Sequence, residues 1–411
     1  MVTILFYSIL IVLIVNFVFE RWLDYLNVKS WSTVLPPELR GIYNEEKYQK
    51  SQEYHKTTNR FTLVTESLGF IAILTIFSNG GFGWLDGIIR LHVSNPIFVA
   101  LLFFAILGLI TEIFTIPFSL YDTFVIEAKF GFNKTTKRIF FLDKIKGLII
   151  SAIVGGLILC LIVWIYLIAG NLFWLYSLIV IALFSVFMAM FYSSIIVPLF
   201  NKQTPLAEGD LKNAISAFSI KAGFVLDNIF VIDGSKRSTK ANAYFTGLGK
   251  KKRIVLYDTL ISELKTEEIV AVLAHEIGHY KKHHIYLGLF FSLMSTAVML
   301  FLFSLVSSYP AFAEVLGSEV PSFQLAIISF GILYSPLSMI IGLGMNYSSR
   351  KHEYQADQFA AEKYKGEYLA SALKKLSVNN LSNLTPHPTY VFFHYSHPTL
   401  LQRLKKLAEI K

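Results

Sequence analysis

His275, Glu276 and His279 are the residues whose types and spacing point most clearly to chemistry. They belong to the stretch His-Glu-Ile-Gly-His. On an α-helix, residues four apart lie on one face, so both imidazoles can bind the same metal ion. Glu276 lies beside them, free of the metal, where its carboxylate can take a proton from a water molecule. The spacing therefore predicts a metal site with a general base next to it.

This H-E-x-x-H pattern is typical of zinc metallopeptidases. The preceding residues predict the helix that the pattern needs, because Thr266 is a candidate N-cap and Glu267 and Glu268 put negative charge in the first turn. Apolar residues then recur at helical spacing. The other interpretation is that both histidines lie on the surface of an ordinary helix, and this context makes it less favourable.

A third ligand is needed, because catalytic zinc usually has three protein ligands and a water molecule. His283 continues the helical face of the motif, but about 12 Å of helical rise separates it from His275. The remaining pattern takes a carboxylate from a later helix. Glu353, in the predicted helix Lys351–Lys363, is the candidate, and Asp357 one turn further could orient a ligand histidine. A solvated carboxylate at Glu353 is the alternative.

The composition of the chain predicts a membrane protein. Its 411 residues are 54% hydrophobic and only 16% charged, whereas soluble domains carry about 25% charged residues. Seven apolar stretches approach the length of about 20 residues that a membrane span needs. They are Thr3–Phe19, Phe61–Phe77, Pro96–Leu120, Ile145–Ile168, Leu172–Leu199, Ile285–Val306 and Phe323–Met345. The single cysteine, Cys160, excludes an internal disulfide and a cysteine-based metal site.

Lysine and arginine are distributed unevenly between the predicted loops. Of these 37 residues, 36 lie in four segments: 20–60, 121–146, 200–284 and 347–411. Arg90 is the exception, and Ser307–Ser322 contains no basic residue. By the positive-inside rule, this pattern predicts an N-terminus outside and a C-terminus in the cytoplasm. The net charge of +9 then reflects topology, and no nucleic-acid partner is expected.

The first span is expected to be retained. It could also be read as a signal peptide, but no basic residue precedes its core and no small-residue cleavage site follows it. Two acidic residues, Glu66 and Glu112, lie inside predicted spans. Charges in a bilayer are costly, so these carboxylates either line a water-filled intramembrane cavity or pair with neighbouring helices.

The predicted fold class is an all-α polytopic membrane protein with seven transmembrane helices and a small α+β domain on the cytoplasmic side. Residues 1–199 contain the first five spans and residues 285–346 contain the last two. Residues 200–284 and 347–411 form the cytoplasmic domain.

Short strands are predicted within that domain at Asn228–Ile232 and Arg253–Tyr257. Between them, Ala241–Gly249 is either an edge strand or the arm of an ordinary hairpin. The distinction bears on function, because a sheet edge next to a peptidase site can bind an extended peptide by strand addition.

Several long stretches resemble the type I CAAX prenyl endopeptidases, a family of integral-membrane zinc metalloproteases. The matching stretches are Tyr121–Thr136, Ile196–Gly209, Asn242–Gly247, Ala274–His279, Glu353–Ala360 and Ser396–Leu404. The resemblance covers most of the chain. It implies a zincin-like metalloprotease domain, seven helices that enclose a large water-filled chamber, and one zinc ion near the cytoplasmic end of that chamber.

The resemblance also implies a role for individual residues. The zinc ligands would be His275, His279 and Glu353, and the base would be Glu276. Asn242, Ala243 and Tyr244 would align the substrate backbone, and His397 would help to stabilise the oxyanion. Asp357 and Arg403 would support the site. The alternative for His397 is a residue that caps a helix, because Pro398 follows it.

The resemblance implies C-terminal processing of CAAX proteins, so the expected partners are a peptide or protein substrate, prenylated or unprenylated, and the lipid bilayer. Two other hypotheses stay open at this point. A broad quality-control protease of the membrane would use the same catalytic residues. A carrier or receptor would contain the motif by coincidence. The expected location is the cytoplasmic membrane of a bacterium or the endoplasmic reticulum membrane of a eukaryote.

Overall fold

The structure, a computed structural model, describes residues 1–32, 34–35, 40–223, 229–247 and 252–410. The helices are α1 (Val2–Lys29), α2 (Glu45–Ser78), α3 (Gly81–Arg90), α4 (Pro96–Tyr121), α5 (Ala128–Phe130), α6 (Lys137–Ile150), α7 (Gly156–Ile168), α8 (Phe173–Ile195), α9 (Asp210–Lys221), α10 (Asp258–Glu263), α11 (Thr266–Lys281), α12 (His284–Val306), α13 (Ala311–Glu314), α14 (Phe323–Lys363), α15 (Gly366–Asn379), α16 (Pro388–His394) and α17 (Leu400–Glu409). The strands are β1 (Gln203–Pro205), β2 (Ile229–Ile232), β3 (Ala243–Thr246) and β4 (Arg253–Tyr257). Short π-helical segments, Asp122–Glu127 and Ser151–Gly155, connect α4 to α5 and α6 to α7.

Seven helical segments of the described chain are long and apolar enough to cross a membrane, as predicted. They are built on α1, α2, α4–α5, α6–α7, α8, α12 and α14. Several extend well beyond the predicted spans, because helical hydrogen bonding continues after the apolar sequence ends. The fold class is therefore confirmed.

The seven spans form a closed ring. α1 packs against α2, α2 against the π-helical segment after α4, and α4 against α7. α8 lies between α7 and α12, and α14 closes the ring between α12 and α1. In the most apolar 18 residues of each span, only 6–22% of the residues are buried within the protein. The remaining side chains face lipid or the interior of the ring, while α14 contacts α4 across the ring and their buried side chains share an apolar core.

The acidic residues inside the spans pair with cations on neighbouring helices. Glu66 of α2 forms an ion pair with Arg21 of α1. Glu112 of α4 lies 2.9 Å from the Lys144 ammonium of α6. These contacts favour the pairing interpretation, since a charge in a bilayer is retained where it has a partner.

Two helix boundaries differ from the predicted ones. The motif helix α11 ends at Lys281 instead of continuing into the sixth span, and His283 adopts a left-handed backbone with φ 60° before α12 begins. Conversely, the predicted helix Lys351–Lys363 is not separate. It is the last part of α14, a continuous helix of 41 residues that begins in the membrane. The N-cap of α11 is Lys265 and not Thr266.

A four-stranded sheet in the order β1-β2-β4-β3 lies beside α11. β2 and β4 are parallel, and the outer strands are antiparallel to their neighbours. Strand predictions at 229–232 and 253–257 are confirmed, while Asn228 lies outside the described residues. Within the predicted stretch Ala241–Gly249, residues 243–246 form β3 and residues 248–249 lie outside the described residues. β3 is an edge strand of the described sheet.

Residues on either side of the last two spans share a single apolar core. It contains buried side chains from the sheet, such as Ile254 and Leu256, and from α11, such as Ile269 and Leu273. Leu369 of α15 joins the same cluster. Burial of this core holds α11 between the sheet and α14–α15 and fixes the position of the motif.

Candidate metal centre

α11 is built to present its motif at a helix crossing. Its start is stabilised by a capping box, in which the Lys265 amide donates to the Glu268 carboxylate at 2.8 Å. Further along, Gly278 lets α14 approach closely. A Cβ at position 278 would lie 3.1 Å from Ala356 Cα and 3.2 Å from the Ala356 carbonyl oxygen. The absence of that carbon brings Glu353 of α14 next to the histidines of α11.

Among the described residues, His275, His279 and Glu353 form a group that could hold a metal ion. The two histidine Nε2 atoms lie 3.1 Å apart. Glu353 Oε2 lies 3.5 Å from His275 Nε2, and its Oε1 lies 3.2 Å from His279 Nε2. Donor atoms around a tetrahedral zinc ion are about 3.3 Å apart, given bonds of about 2.0–2.1 Å. The spacing of the three donors fits such an ion.

A second observation supports the fit. Glu353 is buried and its Oε2 atom has no hydrogen-bond partner; the Arg403 guanidinium lies 3.4 Å from it but is hydrogen-bonded to Asp357. A buried carboxylate oxygen without a partner is costly unless a cation neutralises it. Two imidazole nitrogens also point at the same small space, where a cation would satisfy all three groups.

A buried ion pair between Asp357 and Arg403 orients His275 through its Nδ1 atom. Its Nδ1 atom lies 2.9 Å from Asp357 Oδ1, and Asp357 accepts two hydrogen bonds from Arg403 at 2.6 and 2.8 Å. Burial disfavours the charged imidazole, but the hydrogen bonds to Asp357 and Glu353 outweigh burial and raise the pKa of His275 to about 9. Without a metal ion, His275 therefore carries a proton at neutral pH, which a metal must displace.

His279 has a different support, which the sequence did not reveal. Its Nδ1 atom lies 3.0 Å from Nδ1 of His284, and His284 Nε2 donates to Gln355 Oε1 at 2.8 Å. The imidazole of His352 stacks on His284 with ring centroids 4.0 Å apart. On a continuous helix, His284 would point away from His279. Only the break at His283 turns it back.

Glu276, the predicted base, and His397, the predicted oxyanion residue, both lie at the candidate metal centre. Glu276 is half-buried and lines the cavity that contains His275 and Glu353. His397 comes from the loop before α17, and its Nε2 atom lies 3.3 Å from Glu353 Oε1. Its side chain is 62% exposed, so it can reach a bound substrate. The structure thus brings together Glu276 and His397, which are 121 residues apart in the chain.

The site opens into a cavity of about 700 Å³. Its walls come from β3, α11, the start of α12, the middle of α14, α15 and the loop that contains His397. His283 does not line it, whereas His284 does. The cavity is large enough for several residues of an extended peptide, and α12 and α14 connect it to the ring of membrane spans.

β3 forms one wall of this cavity. The Tyr257 amide donates to the Asn242 carbonyl at 3.1 Å, so by the alternation of an antiparallel ladder the Ala243 backbone faces the open edge. The Asn242 side chain accepts from the Ala243 amide at 2.8 Å. Tyr244 points away from the cavity, and its hydroxyl lies 3.4 Å from Ser193 of α8. Asn242 and Ala243 therefore lie at the site, and the Tyr244 side chain does not.

Comparison with known proteins identifies the family. A model described as "CAAX prenyl protease N-terminal, five membrane helices" matches residues 24–202, and the model of peptidase family M48 matches residues 205–411. The chain belongs to peptidase family M48. It is therefore a membrane metalloendopeptidase, and the hypothesis of a carrier or receptor is wrong. The family implies a metal ion, typically zinc.

Relatives of this peptidase match it over nearly its full length. CAAX prenyl protease 1 of Saccharomyces cerevisiae is 36% identical, over 96% of this chain and 93% of that protein. The human CAAX prenyl protease 1 homolog is 32% identical, over 92% and 90%. The crystal structure of Saccharomyces mikatae Ste24p superposes with a TM-score of 0.93 at 35% identity, covering 98% of this chain and 99% of that one.

Proposed function

We propose that this peptidase is a zinc endopeptidase that processes the C-termini of prenylated CAAX proteins. The observation that carries the proposal is the convergence of three metal donors and one free carboxylate at a sheet edge, inside a cavity that continues into membrane helices. The names of its relatives supply the substrate class.

The metal would be held by His275, His279 and Glu353, one ion per chain. A zinc ion held in this way polarises a peptide carbonyl and makes a water molecule more acidic. Asp357 accepts a hydrogen bond from the Nδ1–H of His275, which directs the Nε2 lone pair towards the metal position. Arg403 neutralises Asp357 and so keeps this buried carboxylate ionised.

Glu276 is the proposed base. Its carboxylate takes a proton from the attacking water and delivers it to the nitrogen of the leaving amine. His397 donates a hydrogen bond to the carbonyl oxygen of the substrate as negative charge develops there. Both roles need groups that face the cavity without being metal ligands, and both side chains meet that condition.

The substrate backbone would extend β3 as an additional strand. Ala243 offers an amide and a carbonyl at the edge, and the Asn242 side chain, which now holds that amide, can exchange partners with the incoming peptide. A role for Tyr244 would be indirect, through its contact with α8.

We also propose that residues 200–284 and 347–411 form one peptidase domain on the cytoplasmic side, with the N-terminus outside. The shared apolar core supports the domain, and the basic residues support the orientation. In a eukaryotic host, the membrane would be that of the endoplasmic reticulum; in a bacterial host, it would be the cytoplasmic membrane.

Cleavage assays on purified protein test this function. We expect release of the C-terminal tripeptide from a farnesylated CAAX peptide, and slower cleavage of the same peptide without the lipid. Glu276→Gln should keep its zinc and lose activity by a factor of about 10² or more, because the amide cannot act as a base.

Two outcomes would contradict the proposal. Turnover by zinc-loaded Glu276→Gln would remove Glu276 from the mechanism. Equal cleavage of the prenylated peptide, the unprenylated peptide and an unprenylated membrane protein would instead indicate a broad quality-control protease.

A further inference from the structure

A second cavity, of about 450 Å³, lies between α14 and the α16–α17 pair and plays no part in the proposed reaction. We call it the α14–α16 cleft. Its lining residues are Tyr347, Arg350, Lys351, Tyr354, Pro388, Val391, Phe392 and Gln402. Four of them recur on α14 at the spacing of one helical face, and three do so on α16. Glu353 and Asp357 lie on a neighbouring face of α14, so the cleft is separate from the metal centre.

The cleft is positively charged and has no acidic residue in its lining. Arg350 is held in place, because its Nη1 donates to the Tyr395 carbonyl at 2.6 Å. Lys351 is exposed and makes no hydrogen bond or ion pair with another described residue. Tyrosine hydroxyls and the Gln402 amide add neutral donors. A fixed guanidinium next to a free ammonium is a favourable arrangement for a phosphate group.

The cleft also lies at the level where membrane spans end. The predicted seventh span ends at Met345, and the next residue, Asn346, donates to the Phe393 carbonyl of α16 at 2.7 Å. Phe393 in turn contacts Phe19, the last residue of the predicted first span, with ring centroids 5.0 Å apart. α16 therefore lies where two spans leave the bilayer.

Exposed aromatic side chains surround the cleft at this level. Tyr347 is 66% exposed and Phe392 is 49% exposed. On α1, Trp22 and Tyr25 are also exposed, just past the end of the predicted first span. Aromatic residues are enriched at the membrane–water boundary, where the ring meets acyl chains and the polar atom meets water. An occupant of the cleft can therefore have an apolar tail that continues into the bilayer.

We infer that the α14–α16 cleft binds the headgroup of an anionic phospholipid. The phosphate lies against Arg350 and Lys351, and the acyl chains run past Tyr347 and Phe392. The ammonium of Lys351 disfavours choline headgroups, because the choline cation would lie close to a like charge. The cytoplasmic leaflet is the one that carries anionic lipids, so the physiological assignment rests on the proposed orientation.

The position of the cleft gives this lipid an influence on the peptidase. One wall is α14, which carries Glu353, and the other contains α16 and Gln402 of α17, the two helices that flank the loop with His397. A headgroup that bridges these walls restrains the loop relative to α14. The bound lipid therefore stabilises the arrangement in which His397 contacts Glu353.

Native mass spectrometry of the detergent-purified full chain tests the inference. The probes are dioctanoyl phosphatidylserine, dioctanoyl phosphatidylcholine and inorganic phosphate. We expect one phosphatidylserine to be retained in preference to phosphatidylcholine. Lys351→Gln should weaken retention about 5-fold, and Lys351→Glu about 30-fold, since each charge near a headgroup contributes about 1 kcal/mol. Lys405→Glu, at an exposed lysine outside the cleft, should bind like the wild type.

Zinc content checks that each variant is folded, and the milder Lys351→Gln keeps the test valid if the reversal disturbs α14. Equal retention of the two lipids, or unchanged binding by both Lys351 variants, would overturn the site. Competition by inorganic phosphate as effective as that by the lipid would overturn the lipid assignment. Binding is also measured on Glu276→Gln, which needs no turnover, so a failure of the peptidase proposal would leave this result unaffected.

Discussion

At the scale of single residues, the metal centre depends on which side chain completes the histidine pair. Glu353 lies within 3.5 Å of both motif histidines, while His283 lies outside the cavity at the break between two helices. In the sequence, Glu353 was the candidate ligand from a later helix, a solvated carboxylate was the alternative, and the family resemblance implied the ligand role. The reason for rejecting His283 was incomplete, since the helix ends before reaching it.

Glu353→Ala should lose most of its zinc, because two histidines alone form a weak chelate and water must replace the carboxylate. The measurement is elemental analysis of folded, monodisperse protein after dialysis against a mild chelator. His283→Asn is the matched control, since asparagine tolerates the left-handed backbone at that position. A zinc-free His283→Asn beside a zinc-loaded Glu353→Ala would reverse the assignment.

His284→Ala should weaken metal binding about 10–100-fold, as the loss of a hydrogen bond to a metal-bound histidine usually does. The reason is that His284 fixes which nitrogen of His279 carries the proton. Competition with a chromophoric chelator measures the affinity, and the visible spectrum of the cobalt-substituted protein reports the geometry. His352→Phe, which keeps a ring stacked on His284, is the control. If His284→Ala bound the metal with wild-type affinity, the contact between His284 and His279 would contribute only to packing.

At the scale of elements, the sequence predicted those helices and strands whose structure is determined by local sequence. The motif helix and the seven spans follow from periodicity and hydropathy, whereas the edge strand was one of two alternatives that the sequence left open for Ala241–Gly249. The continuity of α14 between the seventh span and the predicted helix Lys351–Lys363 does not follow from them, because the sequence turns polar at the membrane surface while the helix continues. Contacts between distant loops could not be predicted from the sequence either. Asn133 pairs with Ser238, and this docks the segment that leads into β3 onto the loop after the third span.

Lys240, two residues before Asn242, anchors that segment to the membrane helices. Its ammonium lies 3.0 Å from Glu127, 3.2 Å from the Tyr54 hydroxyl and 4.4 Å from the centre of the Phe132 ring. Lys240→Glu should raise the KM for a peptide about 10-fold, with a smaller change in kcat, because a partly buried pair couples by about 1–2 kcal/mol. The reciprocal exchange Lys240→Glu with Glu127→Lys should recover part of the loss.

The exposed pair Lys129–Glu53 offers a matched control, because its side chains are more than half exposed and it joins α5, directly after Glu127, to α2. Exchange of those two charges should leave KM unchanged. If the Lys240 variant behaved like this control, the anchoring of β3 would not depend on the ion pair.

At the scale of the whole molecule, the distribution of basic residues predicts the orientation of the protein in the membrane. Single cysteines in a Cys160→Ala background can test it with a membrane-impermeant maleimide, in sealed vesicles whose cytoplasmic face points outward. Glu409→Cys should react at once, and Glu319→Cys only after detergent is added, since both positions are exposed but lie on opposite predicted sides. The Cys160→Ala parent gives the background. The opposite labelling order would invert the topology.

The crossing of α11 and α14 also has a consequence for biosynthesis. His275 and His279 precede the last two spans in the chain, and Glu353 follows them. The carboxylate can meet the histidines only after α12 and the first part of α14 have inserted as a pair and brought the chain back to the same side. An incompletely inserted chain offers only the weak histidine pair. We therefore expect the metal to be acquired late, and the metal content of newly made protein should report that the final hairpin has entered the bilayer.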